Sequence, residues 1–560
     1  MSKKIKQVLG EIKSLNNLKS DGYDIDDEES NEDYDMIVSS DITSESDDEN
    51  ELISSSDSDN EKDQFFGKDG TEWNKIEPTN QKNRFSSIRS RSGPTTHAKR
   101  FIETESLASA FKLLITEKMV KFIKRCTKLK ARKINTSWSI TVNEIYAFIG
   151  ILLIRGVSGA RNIPVKELWS KEYGFPIFSK VMSRNRFQEI MTYLRFDDET
   201  TRSERLVDDK FALVSTIWNH FIKNCQNCYN PDSYVTIDEQ LFPTKTRCRF
   251  IQYMNNKPDK FGIKFWLLVD TNSKYLLNGK PYLGKDDNRP DNLKIGEHIV
   301  LDLLKPYHKS GLTIITDNFF TSLELAKRLK KKNMKLVGTI RANRRELPPE
   351  CTKISKSDSL YKSKHFQHQG ILLAIYKCKR DKNVYLLSSK HQFVNISKKG
   401  NPKKKSNIIK FYNDNKCGVD VIDQMAKKWS TKASSRRWPM QVFYNVLDLA
   451  GINSWILYKI VTGCNISRRM YLRKLGEELC NSMSNIYVKP CDRNLNQFLS
   501  TVSNSLKTVS NKRKRCNITK CDNKTNQLCE RCNIFCCGTH LKRYCLNCVG
   551  KNNSQDLEIS

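Results

Sequence analysis

The sequence predicts an α/β unit inserted into a split, mainly helical domain, with a small cysteine-rich metal module after it and an acidic, coreless segment before it. Three observations carry this expectation. Hydrophobic periodicity switches from helical to strand-like near residue 233 and returns to helical near residue 408. Eight of the 18 cysteines fall between Cys516 and Cys548. Charge is segregated: residues 21–63 hold 19 Asp and Glu against one Lys. A chain of 560 residues exceeds one core, and at roughly 150 residues per domain it divides into three or four units.

Residues 1–92 contain DIDDEES, SESDDEN and SSSDSDN, a composition with too few apolar side chains to offset chain entropy, so disorder is expected. The first helical part is placed at 97–232. SLASAFKLLITEKMVKFIKRC, NRFQEIMTYLRF and KFALVSTIWNHFIKNC repeat apolar residues at three- and four-residue spacing. VNEIYAFIGILLIRG reads as a buried helix. Its apolar run, Ile145 to Ile154, is shorter than the ~18 residues of a membrane span.

The α/β unit begins at 233–341. SYVTIDEQL, KFGIKFWLLVD and KYLL read as strands, Asp238 ending the first; LTIITD is another, and TSLELAKRLKKKN follows as a helix opened by a Thr321–Glu324 capping box. KLVGTI is the next strand, giving the α/β order of a mixed sheet. Residues 342–407 read as an insertion with one hairpin (ILLAIYKC, VYLLSS) and a basic loop, KKGNPKKK. The α/β unit closes at 408–426, the helical domain resumes over 427–505, and the cysteine-rich module occupies 513–550.

Formal charge is +33; the acidic segment alone is −18, leaving +51 on the rest. Such an excess predicts a polyanionic partner, nucleic acid, because neutralised phosphates release counterions. The bland alternative is a lysine-rich proteome. MSKKIKQVLG has no apolar stretch for a secretory signal, so an intracellular protein without a membrane segment is expected. Arg436 and Arg437 precede Trp438 at a helix start, where guanidinium groups position phosphates. Lys403–Lys405 and the run Lys512, Arg513, Lys514, Arg515 read as nuclear addresses or phosphate contacts; a solvated loop is the plain alternative for the 403 run.

In this context a dense Cys/His group reads as zinc rather than disulfide. Cys516 and Cys521, Cys529 and Cys532, Cys537 and His540, and Cys545 and Cys548 form four pairs, enough for two tetrahedral Zn²⁺ sites. Cys536 is left over by the CxxH spacing, although CxxxH using Cys536 stays open. Cys225 and Cys228 have no ligand partners nearby in sequence and are expected in the core.

Asp238 and Asp317 follow strand segments, and Asp420 and Asp423 lie three apart on one helix face. Converging carboxylates can hold two divalent ions that activate a nucleophile and stabilise in-line displacement at phosphorus; hard oxygens favour Mg²⁺. Taken singly, each is more ordinarily a turn, cap or solvated-face residue.

IDEQL, ITDNFFTS and NKCGVDVIDQM resemble, in order, the three catalytic blocks of piggyBac transposases. DGTEWNKIEP, ELWSKEYGFPIF, SRNRFQEIMTYLRF and SSRRWPMQVFYNVLDLAGINSWILY are similar to the family's flanking blocks, so the resemblance spans roughly residues 66–550. It implies a ribonuclease H-like catalytic core inserted into a split helical dimerisation and DNA-binding domain. It also implies a cut-and-paste DNA transposase acting on double-stranded DNA as a homodimer in the nucleus, with terminal inverted repeats, a hairpin intermediate and TTAA targets. Asp238, Asp317 and Asp420 would then be the triad for two Mg²⁺ ions, with Mn²⁺ as a substitute, and Asp423 an additional acid. The cysteine-rich module resembles the family's cross-brace, pairs one and three holding one zinc, pairs two and four the other. The gap between Cys516 and Cys521 is wider than the family's usual two residues. The alternatives are a domesticated DNA-binding protein without cleavage, against which the intact acids speak, and a RING-type ubiquitin ligase, against which the basic KRYCLNCVGK speaks.

So short a segment as 513–550 cannot build a core, and its folding is expected to require metal. Native mass spectrometry of the intact chain is expected to count two zinc ions, with Cys536→Ser nearly silent and Cys537→Ser losing one ion.

Overall fold

The computed structural model describes residues 64–79, 92–255, 257–285, 289–308, 310–352, 359–380, 382–396, 405–481, 514–516, 521–525, 535 and 537–539. All lie in the second of two compact units, Lys62–Ser560. Strands β1 (Gln64–Phe66), β2 (Glu72–Lys75) and β3 (Gly93–Pro94) come first. Nine helices follow: α1 (Thr96–Phe101), α2 (Leu107–Leu114), α3 (Glu117–Arg132), α4 (Val142–Val157), α5 (Val165–Leu168), α6 (Pro176–Val181), α7 (Arg184–Tyr193), α8 (Arg202–Asp208) and α9 (Ser215–Cys228). The chain continues through β4 (Tyr229–Asn230), β5 (Tyr234–Pro243), β6 (Ile251–Tyr253), β7 (Phe261–Asp270), β8 (Leu276–Pro281), α10 (Ile295–Leu303), β9 (Thr313–Thr316), α11 (Leu323–Lys331), β10 (Lys335–Thr339) and α12 (Pro349–Thr352). Then come β11 (Ser363–His368), β12 (Ile371–Lys379), β13 (Lys382–Ser388), α13 (Asn407–Asn415), α14 (Gly418–Lys428), α15 (Trp438–Thr462), α16 (Arg468–Asn481), β14 (Lys514–Arg515) and β15 (Lys524–Thr525).

Eleven strands form one mixed sheet in the order β1-β2-β11-β12-β13-β10-β9-β5-β7-β6, with β8 also on β7. β9 runs parallel to both β5 and β10, and the other pairings are antiparallel. β12 and β13 form the expected hairpin, but the strands of 342–407 extend the main sheet through β13 on β10. Unbroken apolar faces explain this: Leu372, Leu373, Ala374, Ile375, Leu386 and Leu387 are all buried.

Residues 64–75 depart from the disorder expected across 1–92. They form β1 and β2 against β11 because their aromatics find a core: Trp73 is fully buried and its Nε1 donates to the Glu346 carbonyl at 2.8 Å. β5 also runs longer than expected. Asp238 lies in mid-strand rather than at its end, because pairing with β7 continues to Pro243 opposite Gly262. The cap of α11 is Ser322, whose hydroxyl accepts from Leu325 N, and not Thr321. Thr321 instead donates to the Asp317 carbonyl at 2.7 Å, and Glu324 pairs with Arg328. Among the described residues no helix is long and apolar enough to cross a membrane.

The two helical stretches close on one another. α4, opened by a Thr141–Glu144 capping box, is buried from Ile145 onward and crosses α16 at glycine on both sides. A Cβ at Gly150 would lie 2.6 Å from the Gly476 carbonyl oxygen, and one at Gly476 would lie 2.7 Å from Ile154 Cγ1. Asn453, fully buried on α15, clamps β8 by accepting from Leu276 N at 2.8 Å and donating to its carbonyl at 2.9 Å. Helices from both stretches and the sheet thus share one apolar cluster. Cys225 and Cys228 are buried in it, as expected.

Since backbone stands on both sides of the α4–α16 crossing, Gly150→Ala is expected to cost about 1–3 kcal/mol. Urea unfolding followed by tryptophan fluorescence should show a lower midpoint with an unchanged slope.

Candidate active site and metal centre

Parallel pairing of β5 with β9 sets two carboxylates side by side. The ladder ends with Ile237 opposite Thr316, and Asp238 and Asp317 are the next residues on each chain. Asp317 leaves the strand in a tight loop, where its Oδ1 accepts from Phe319 N at 3.0 Å. Asp238 Oδ1 accepts from Glu239 N at 2.8 Å.

The third carboxylate arrives on α14, which packs on β5 where Gly418 faces Thr236. A Cβ at Gly418 would stand 2.6 Å from Thr236 Oγ1, so only glycine lets the helix come this close. Thr236 Oγ1 also donates to the Asn415 carbonyl at 3.0 Å, tying the end of α13 to the same strand. The first turn of α14 thereby brings exposed Asp420 to the acids of β5, while Asp423 is buried one turn on and paired with Lys427 at 2.8 Å.

The cluster carries more negative charge than its surroundings neutralise. Burial raises Asp238 well above the ordinary carboxylate range; Glu239, Asp317 and Asp420 push it further, and Lys257 only partly offsets them. Burial, then Glu239, moves Asp317 up to about 6 against the Phe319 and Phe320 amides and Lys264. Among the described residues two lysines face these four carboxyls: Lys257 Nζ is 3.9 Å from Asp420 Oδ1, and Lys264 Nζ is 3.9 Å from Glu239 Oε2. Crowded hard oxygens with surplus charge are the donor set a divalent cation such as Mg²⁺ stabilises. The three aspartates do not all close within 4.8 Å of one another; among the described residues only Cys516, Cys521 and Cys537 do.

Glu239, Lys257 and Lys264 were not singled out from the sequence. Glu239 is adjacent to Asp238 in IDEQL and was legible there; the two lysines carry no local pattern among 96 Lys and Arg.

Asp423 opens onto a cavity of about 1170 Å³ whose wall includes Arg161, Lys245, Arg247, Lys427, Lys432 and Arg436. Such a wall suits phosphates. Arg437, expected as a phosphate contact, instead turns inward. Its Nη1 donates to the Leu194 carbonyl at 2.6 Å and its Nη2 to that of Met191 at 2.5 Å, and burial lowers its pKa to about 10. The carbonyls left open at the end of α7 claim it.

In the C-terminal module the Sγ atoms of Cys521 and Cys537 are 3.6 Å apart, and Cys537 N donates to Cys516 Sγ at 3.3 Å. These three cysteines belong to pairs one and three, and a thiolate trio of this size fits zinc. Arg515 pairs with Asp522 at 2.8 Å, and Lys514 lies in β14. Lys512, Arg513, Cys529, Cys532, Cys536, His540, Cys545 and Cys548, with Lys403 and Lys404 of the other basic run, lie outside the described residues.

Because Asp317 binds its proton more tightly folded than unfolded, its contribution to stability is greatest below pH ~4 and is lost as pH rises through about 6. Without added Mg²⁺, Asp317→Asn is therefore expected to stabilise the protein at pH 7–8 by roughly 1–3 kcal/mol and to make little difference at pH 4, as denaturant titrations at the two pH values would show.

Residues 108–455 match a family model described as Transposase IS4. PiggyBac transposable element-derived protein 3 of Homo sapiens is 24% identical over 448 residues, 75% of this chain and 73% of that protein. PiggyBac transposable element-derived protein 2 of Homo sapiens is 26% identical over 375 residues, 62% of this chain and 61% of that protein. A cryo-EM structure of a piggyBac transposase synaptic complex with hairpin DNA aligns at a TM-score of 0.66 and 31% identity, covering 82% of this chain and all of that one. With more than half its length inside the family model and the acids of its three motifs brought to one end of a parallel strand pair, the chain belongs to the piggyBac transposase family.

Proposed function

We propose that the protein is a cut-and-paste DNA transposase that binds terminal inverted repeats as a homodimer. In this reading it nicks the DNA with water, uses the freed 3′-hydroxyl against the opposite strand, and inserts the element at TTAA. The observation that carries the reading is the acidic cluster of Asp238, Asp317 and Asp420, whose mutual repulsion the protein compensates only in part.

Asp238, Asp317 and Asp420 would hold the divalent ions, and Asp423 would support the helix that presents Asp420. When bound, a Mg²⁺ or Mn²⁺ pair supplies Lewis acidity for the attacking and leaving oxygens of an in-line displacement. The chain's own part is positioning. Gly418 and Thr236 fix the helix against the strand, and the cationic wall beyond Asp423 holds phosphates in register with the carboxylates. Within this reading the core is of the ribonuclease H-like type, the C-terminal module is a zinc cross-brace that adds DNA affinity, and Lys512 to Arg515 direct the protein to the nucleus.

Asp238→Asn, Asp317→Asn and Asp420→Asn are each expected to lower nicking of a cognate end by about 100-fold or more, ~2.7 kcal/mol of barrier, with gel-shift affinity retained. Wild-type protein that binds the ends but never nicks them with Mg²⁺ or Mn²⁺ would mark a DNA-binding protein without cleavage, and variants that nick normally would show the site to be misassigned.

A further inference from the structure

We propose that Lys257 binds a non-bridging oxygen of the scissile phosphate once divalent cations occupy the aspartates, an inference that rests on the cleavage reading above.

Among the described residues three lysines stand within 4.0 Å of an acid of the site, and they are held differently. Lys427 is fixed on Asp423 at 2.8 Å. Lys264, on β7, is caged: its ammonium lies 3.9 Å from the centroid of the Trp266 ring and 5.5 Å from that of Phe319, with Glu239 at 3.9 Å. Lys257 is neither fixed nor caged. It sits between β6 and β7, in the irregular segment that follows the short edge strand. Among the described residues, the acidic oxygen within ion-pair reach is Asp420 Oδ1 at 3.9 Å, longer than a hydrogen bond.

Its side chain is nonetheless 20% exposed, against 59% for Asp420, so the lysine is the more buried partner of the pair. Burial works against its charge, yet Asp238, Asp420, Glu239 and Asp423 more than offset that and keep it protonated. In the ion-free protein Lys257 is therefore the cation beside Asp420 and Asp238, as Lys264 is beside Glu239. Divalent ions on Asp238 and Asp420 would neutralise the charges that hold it there and would repel its ammonium. A phosphate entering between the ions and the β6–β7 segment supplies the anionic oxygens the displaced ammonium then requires. A lysine in such a place stabilises charge that grows in the transition state.

The test uses the full-length protein and a cognate transposon end. Lys257→Ala is expected to lower the single-turnover nicking rate at saturating Mn²⁺ by about tenfold or more. Electron paramagnetic resonance of free Mn²⁺, measured without DNA, is expected to show tighter ion binding in the same variant because a competing cation has gone. Lys257→Arg should recover most of the rate. A variant that binds Mn²⁺ more tightly and nicks at the wild-type rate would overturn the proposal, leaving Lys257 a counter-ion only. So would a lost rate accompanied by weaker Mn²⁺ binding and no recovery by Arg, the pattern of a residue that merely supports the fold. Wild-type protein that binds ends without nicking overturns the cleavage reading itself, and this inference with it.

Discussion

The approach of α14 to β5 is the constraint on which the site depends. Gly418 has no side chain where any Cβ would collide with Thr236, and that contact fixes how near Asp420 comes to Asp238. The sheet supplies the other half, since parallel pairing of β5 and β9 makes Asp238 and Asp317 neighbours. Two backbone relations, a strand register and a close helix approach, therefore concentrate carboxylates that repel one another. Protein stability is opposed locally, as buried like charges require, and the arrangement is reasonable only if a cation comes to it.

The remainder of the fold holds this arrangement in place. Asp448 on α15 accepts from Ser430 Oγ at 2.5 Å, Thr431 N at 2.7 Å and Thr431 Oγ1 at 2.8 Å, so the chain leaving α14 is tied to the central helix. Burial raises that carboxyl to about 7 even though these hydrogen bonds pull the other way. Asn453 ties the same helix to β8, and Arg437 ties its beginning to the end of α7. α15 thus connects the sheet with both helical stretches, which explains why residues far apart in sequence form one apolar cluster. The basic cavity beside Asp423 lies between the same parts, drawing Arg161 from one stretch, Lys245 and Arg247 from the chain after β5, and Lys432 and Arg436 from the segment before α15.

Much of this was legible in the sequence where a local pattern carries the information. The change of periodicity at residue 233 marks the start of β5, and the ten-residue apolar run of α4 announces a buried helix. The acidic motifs sit at strand and helix positions that converge. What was not legible depends on partners distant in the chain. β1 and β2 exist because Trp73 reaches the Glu346 carbonyl, 273 residues away. Arg437 looks like a surface cation until the carbonyls of Met191 and Leu194 appear beside it. Ser322 and Thr321 both suit a helix cap, and the choice was made by Glu297, whose Oε1 accepts from Ser322 Oγ at 2.6 Å. Lys257 and Lys264 were hidden by number, being two among many basic residues until the fold set them against the acids.

The most direct test of the account is anomalous diffraction from crystals of the protein soaked in Mn²⁺, with data also collected at the zinc edge. The account predicts manganese peaks among Asp238, Asp317 and Asp420, with Asp420 drawn inward, and zinc peaks confined to the C-terminal cysteines. Manganese absent from the aspartates at saturating concentration, with the acidic cluster left protonated or paired to Lys257, would contradict it.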